Sequence, residues 1–309
     1  MNRIGRVYTL LFALGLFAFS LFALLDTFVI AREYAPAESG HYEAETGTVQ
    51  DSALLRAVSN SEPTVTSDSY SDEQLAIKLE TYRYMDTDIY VADVALSSPE
   101  YILTAFAEGT FGRNIAETAS QTAGEAGAIL AINGDNYGSR RMGYVIRNGV
   151  LYREEAAGDQ EDLVIWGDGS MEIVEESEIT ARELLAQGAV HVFSFGPGLL
   201  ENGEILVSEE DEVGRAMASN PRTALGVRAN GHYVFVVADG RTSESEGLSL
   251  RELAEFLSSI GVETAYNLDG GGSSTMVFLG DVVNEPTSGH GIRERAVTDI
   301  VYIGKGSAL

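Results

Sequence analysis

The sequence predicts an α+β fold, a mixed and largely antiparallel sheet with a few packed helices, preceded by one N-terminal transmembrane helix. Three observations predict it. Segments alternating apolar and polar residues, as half-buried strands do, recur through the chain and meet at turns such as Asn148-Gly149 and Asn230-Gly231. Two capping boxes, Thr180-Ala-Arg-Glu183 and Ser249-Leu-Arg-Glu252, open short helices. From Val7 to Leu25 no charge interrupts an apolar run long enough to cross a bilayer.

The N-terminal run is followed by bulky Phe28, Val29 and Ile30 rather than a small-x-small cleavage site, which favours an uncleaved anchor over a signal peptide. Arg3 and Arg6 ahead of it place the N-terminus in the cytoplasm and the rest of a single-pass protein outside the cell membrane. Three regions follow: 1–31 as cytoplasmic tip and anchor, 32–74 as a disordered acidic Ser/Thr-rich tether, and 75–305 as the folded domain. Within the tether, Ala53 to Val58 is long enough for one or two helical turns.

In the domain, Ile77–Tyr84 and Ile89–Leu96 read as paired strands and Tyr101–Ala107 as a third. Asn114–Ala126 reads as a helix with Ile115, Ala119, Thr122 and Ala126 on one face. The apolar strand Ala128–Ile132 ends in Asn133, Gly134, Asp135 and Asn136, where either a ligand site or a loop with Asx turns fits. Two hairpins are expected at 144–152 and 163–173, then a short helix to Gln187 and a strand from His191 to Phe195. If the strands flanking Asn230-Gly231 pair, Arg222 and Asp239 fall at the same sheet end; a buried ion pair between them is the structural alternative. The Ser249 helix presents Leu250, Leu253, Ala254 and Leu257 inward and ends at Gly261, and residues 292–303 form the last strand.

The helix delivers the chain to Thr264–Phe278, read as strand, glycine turn, strand. Asp269 is followed by Gly270, Gly271 and Gly272, then Ser273, Ser274 and Thr275. Three consecutive glycines permit backbone that other residues cannot follow and let a ligand approach the main chain. Their N–H groups form an anion-binding concavity with the hydroxyls as further donors, unless the cluster is only a structural turn.

Composition narrows the chemistry. A formal net charge of −27 argues against nucleic acid or an anionic membrane surface as a partner, since both demand basic patches. The chain has no cysteine, and its four histidines lack H-x-x-H or H-E-x-x-H spacing, so a thiol nucleophile is excluded and a zinc enzyme disfavoured. No G-x-S-x-G motif is present. What remains is a set of polar strand ends: Asn133/Asp135, Arg222/Thr223, Asp239/Arg241 and Asn267/Asp269, with Arg295 as a further member. Arginines offer bidentate donors to phosphate, and aspartates act as general acid, base or nucleophile.

Asn267-Leu-Asp-Gly-Gly-Gly-Ser-Ser-Thr-Met276 resembles the signature of the phosphodiester glycosidase family. Asn-Pro-Arg-Thr223, Asp-Gly-Arg241 and Glu-Arg-Ala-Val297 stand in the family's order, with Ala296 where the family commonly has proline, and the likeness spans about residues 75–304. It implies an α+β fold and hydrolysis of a sugar-1-phosphodiester. Carried over residue by residue, it implies Asp269, Asp239 and Asp135 for the proton or charge work. It implies Arg222, Thr223, Arg241, Arg295, Asn133, Gly134, Asn267, Gly270–Gly272 and Ser273–Thr275 for substrate. The expected partner is a carbohydrate phosphate of an envelope polymer, such as an exopolysaccharide or a teichoic-acid-like chain. Two alternatives stay open: a protein that binds anionic glycan without turnover, and a glycosyl-phosphate transferase. No cofactor is certain; the acidic surface makes a divalent cation such as calcium the one to test.

Overall fold

In the computed structural model, residues 3–39, 62–208, 219–289 and 291–304 are described. The helical reading of 53–58 and the acidic run 209–212 lie outside them. Helix α1 (Arg3–Phe28) meets the domain at its C-terminal end, where Arg113 donates to Thr27 O at 2.8 Å, and its Leu10–Phe28 stretch, mean hydropathy 2.1, is long and apolar enough to cross a membrane.

The domain is α+β, and every strand pair among the described residues is antiparallel. Its largest sheet has nine strands, with Val262–Leu268, Arg222–Arg228, Tyr233–Ala238, Thr87–Leu96 and Leu75–Tyr84 in that order at its centre. Sheets of six and five strands pack around it. Leu225, Phe235 and Leu268 of the first sheet share one core with Leu163 and Phe193 of the second and Ile132, Met276 and Val301 of the third. Among the described residues, three helices close the outside, two of them on the five- and nine-stranded sheets and Ala181–Ala186 on the six-stranded one. Helix α2 (Ala119–Ala126) sets Ala119 and Ala123 against Ala131 and Ile300. The later helix Leu250–Ser259 buries Leu250, Leu253, Ala254 and Leu257 against Val234, Val236 and Ala265. Small residues on α2 allow close approach; the leucine stripe on the other fills a wider gap.

The hairpin Leu75–Tyr84/Thr87–Leu96 and those across Asn148-Gly149 and Asn230-Gly231 form as the alternation and turn residues predict. Asn148 and Gly149 both take positive φ, as a tight hairpin turn of this hand requires. Three expectations change. Helix α2 starts at Ala119 rather than near Asn114, because Thr118 and Gln121 form a capping box and Asn114 sits at φ 58°. The last strand covers only Asp299–Ile303. Short strands at Arg32–Glu33, Glu38–Ser39, Thr64–Val65 and Ser69–Ser71 stand in the stretch read as tether. Pairing along an existing backbone edge needs no apolar side chains, so hydrophobicity gave no sign of them.

The glycine segment is a crossover. Val262–Leu268 belongs to the nine-stranded sheet and Met276–Phe278 to the five-stranded one. The turn that joins them sits where the two sheets meet.

Candidate active site

Antiparallel pairing sets Arg222 opposite Ala238 and Thr223 opposite Leu268, so the beginning of one strand and the ends of its two neighbours lie side by side. Arg222, Asp239 and Asp269 therefore arrive at one sheet end from three strands. The glycine turn folds over them, with Gly271 N–H donating to Pro221 O at 2.8 Å and Gly270 close against the same carbonyl. A β-carbon on Gly270 would stand 2.9 Å from Pro221 O, so a side chain there would force the strands apart.

Asp269 is the centre of this cluster. Its Oδ2 accepts from Ser273 Oγ at 2.5 Å and from Arg295 Nη2 at 2.6 Å, and Arg295 Nε donates to Ser273 Oγ at 2.9 Å. The three side chains hold one another in a ring. Both bonds to Asp269 fall on Oδ2, leaving Oδ1 unengaged among the described residues. The Asp269 side chain is 11% exposed and that of Arg295 44%, so the pair opens to solvent at the arginine end. Burial pushes the Asp269 pKa up; Arg295 and the Ser273 hydroxyl oppose this.

Asp239 is more enclosed. Its carboxylate accepts from Asn284 Nδ2 at 2.9 Å and from the Glu285 N–H at 3.1 Å, and Asn284 Nδ2 also donates to Ser274 O. Asn284 thus ties Asp239 to the glycine turn. Burial raises the Asp239 pKa against these donors, and burial beside Asp239 lifts Tyr90 to about 12. Arg241, at φ 65°, donates to Asn220 Oδ1 at 3.0 Å, with Nη2 2.8 Å from where a Gly271 β-carbon would stand. Arg222 donates through Nε to Leu248 O at 2.7 Å.

The remaining expected residues lie beneath this surface. Asn133 is fully buried and joins the sheets: Nδ2 donates to Asp269 O at 2.6 Å, and Oδ1 accepts from Thr223 Oγ1 at 2.9 Å and Thr275 N at 3.2 Å. Gly134 leaves no room for a side chain, because a β-carbon would meet the Asp299 carboxylate at 2.4 Å. Asp135, expected among the acids, is fully buried in an ion pair with Arg147 at 2.8 Å and also accepts from the Ser194 and Tyr137 N–H groups. Both its oxygens are engaged by protein groups. Asn267 Nδ2 donates to Gly196 O at 2.7 Å. Asn267 Oδ1, Ser274 Oγ and Thr275 Oγ1 are buried without a hydrogen-bond partner among the described residues.

Asn220, Asn284, Arg147 and Asp299 were missed from sequence. Asn220 heads the Asn-Pro-Arg-Thr motif, which was a usable signal. Asp299 interrupts an apolar strand, a second one, and pairs with Arg147 at 3.0 Å. Burial, then the neighbouring Asp135 charge, raise Asp299 to about 7. Asn284 lies in a loop with nothing local to mark it. Among the described residues no group of three or more acidic or histidine side chains gathers as a metal site.

Fold and site together define an antiparallel α+β protein whose polar centre is built from arginines and carboxylates around a glycine crossover. The chain belongs to the phosphodiester glycosidase family, whose model matches residues 126–304. It is 32% identical over 198 residues to the SPbeta prophage-derived uncharacterized protein YomE of Bacillus subtilis, across 62% of this chain and 30% of that one. It is 30% identical over 187 residues to N-acetylglucosamine-1-phosphodiester alpha-N-acetylglucosaminidase of Mus musculus, across 55% of this chain and 35% of that one. The chain thus spans about a third of the length of these curated relatives. The zebrafish catalytic domain of that glucosaminidase shares the fold, with TM-score 0.61 at 21% identity over 89% of this chain and 96% of that one.

Proposed function

We propose that the protein hydrolyses a sugar-1-phosphodiester, in the manner its family name describes. The observation that carries this reading is the Asp269–Ser273–Arg295 ring at the mouth of the crossover, with Arg222 and Arg241 beside it. Cleaving the bond between C1 and the phosphate oxygen leaves positive charge on the sugar and negative charge on the departing phosphate. Arg241 and Arg295 meet the phosphate charge with preorganised donors, and a phosphate monoester leaves without needing a full proton. The Asp269 carboxylate, steadied through Oδ2, takes the proton of the attacking water through Oδ1. Asp239, held by Asn284, orients the substrate and stabilises the sugar cation. Arg222 lines the same sheet end.

The apolar α1 helix supports a membrane-anchored reading with the N-terminus cytoplasmic and the domain outside, acting on an envelope polymer. The net charge of −27, which would repel a polyanionic substrate, makes calcium the cation to include in the assay.

The test uses the full chain in detergent with a panel of sugar-1-phosphodiesters, N-acetylglucosamine first, with and without calcium. Free sugar should appear with wild type and fall by about 10²–10⁴ in Asp269→Asn with circular dichroism unchanged. Binding without release on every substrate would refute hydrolysis and leave a glycan-binding protein. Sugar phosphate appearing on an added acceptor would make it a transferase.

A further inference from the structure

A cavity of about 520 Å³, with Tyr137, Tyr152 and Arg153 in its wall, lies where α1 joins the domain. Among the described residues, Arg32, Arg113, Arg140, Arg141 and Arg153 line it together with two acids, Asp26 and Glu155. In a chain of net charge −27 this is a concentrated reversal of sign. Part of it is uncompensated. Arg153 is only 9% exposed; Nε and Nη1 donate to the carbonyls of Gly143, Tyr137 and Arg140, and Nη2 is buried with no partner. Arg32 and Arg113 are directly cross-strand in the small sheet that follows α1, an arrangement of like charges that is destabilising unless an anion or acid lies between. Asp26 answers Arg32, while Arg113 is met by the carbonyl of Thr27 at 2.8 Å. Arg141 is exposed. Tyr34, Phe111 and Tyr152 complete the wall, Phe111 packing on Tyr34 and Tyr152 at 6.1 and 4.9 Å.

We propose that this cavity binds the phosphate headgroup of an anionic membrane lipid. Arginines suit a phosphate's bidentate geometry, and aromatic rings with a polar edge suit the membrane interface. The position argues for a lipid over a soluble anion. Asp26 in the cavity wall belongs to the last turn of the apolar Leu10–Phe28 stretch, so a headgroup at the bilayer surface would lie at the cavity's own level. The proposal rests on α1 lying in a membrane. Its lining is distinct from the glycosidase site: Asp239, Arg241, Asp269 and Arg295 are not in the wall, although Arg140 of the wall also acts electrostatically on Asp269.

Native mass spectrometry of the full chain in detergent tests it, with phosphatidylglycerol, phosphatidylcholine and soluble glycerol 1-phosphate as probes. One phosphatidylglycerol should remain bound in preference to phosphatidylcholine, and Arg113→Ala/Arg141→Ala should weaken it by about tenfold or more, as the loss of two charge-assisted bonds requires. Arg153→Lys, which keeps charge but loses the fork, should weaken it less. Equal retention of both lipids, or an unaffected double variant, would overturn the proposal. So would glycerol 1-phosphate binding as tightly as the lipid, which would leave a soluble-anion site. Flotation with zwitterionic vesicles should succeed for wild type and double variant alike, and failure of both would remove the membrane basis. Hydrolysis of a soluble diester should be the same in both proteins, so this result and the glycosidase assay fail independently.

Discussion

Replacing Asn133 by alanine separates a structural tie from a substrate contact. The side chain serves three buried partners: the Asp269 carbonyl at 2.6 Å, the Thr223 hydroxyl at 2.9 Å and the Thr275 N–H at 3.2 Å. Asn133, Thr223 and Thr275 are fully buried, so solvent does not readily replace the lost bonds. An orphaned buried polar group costs roughly 1–3 kcal/mol. Three at the lower end give about 3 kcal/mol, a large share of a total stability of roughly 5–15 kcal/mol. For a domain of this size that lowers Tm by roughly 6–12 °C. Urea unfolding followed by circular dichroism, with thermal melts, gives both quantities. Because Asn133 supports Asp269 from below, kcat should fall through misplacement of the carboxylate. A variant with unchanged urea midpoint and only a raised KM would refute the reasoning, since that is the behaviour of a side chain that touches substrate and supports nothing.

Two other outcomes follow from the same geometry. Gly271→Ala should cost about 1 kcal/mol for its φ of 62° and raise KM by displacing the Arg241 guanidinium, whereas Gly272→Ala, with neighbours no closer than 3.4 Å and an ordinary φ, should change stability by less than about 0.5 kcal/mol; equal KM values in the two variants would contradict this. Stability against pH should carry two opposed slopes. Asp299 is raised from 3.8 to about 7, so its contribution is present at low pH and lost as pH climbs through that window. His191, buried against the Ile102 carbonyl and lowered from 6.5 to about 3, contributes stability that is present above 6.5 and lost as pH falls toward 3. Relative to wild type, Asp299→Asn should therefore remove a downward contribution of up to about 1.4 kcal/mol per pH unit between about 4 and 7, and His191→Gln should remove an upward one between about 3 and 6.5. Curves of the same shape for wild type and Asp299→Asn would refute the raised Asp299 pKa that burial beside Asp135 produces.

Local chemistry made much of this protein legible in its sequence. Turn residues marked the hairpins because Asn-Gly is one of few pairs that accept two positive φ values. Capping boxes marked helix starts through bonds between residues three apart, and the apolar run of α1 needed only counting. The surface ring was partly legible too: Asp269, Ser273 and the neighbouring glycines sit in one short segment, and Arg222 and Asp239 are brought together by a hairpin.

What sequence could not decide is which polar residues face outward. Asn133, Asp135 and Asp269 look alike as carboxamide or carboxylate at a strand end. Their roles differ because Asn133 falls where two sheets meet, Asp135 falls against Arg147, and Asp269 falls at the edge beside Arg295. Those neighbours come from 12 to 142 residues away along the chain, and one crossover between two sheets selects them. The same holds for the arginine-lined cavity, whose members are scattered from Arg32 to Arg153 and converge only when the strand after α1 pairs with Gly112–Arg113. Burial and charge pairing are properties of the assembled surface. Spacing along a chain carries them only where a turn or a helix makes near neighbours in sequence near neighbours in space.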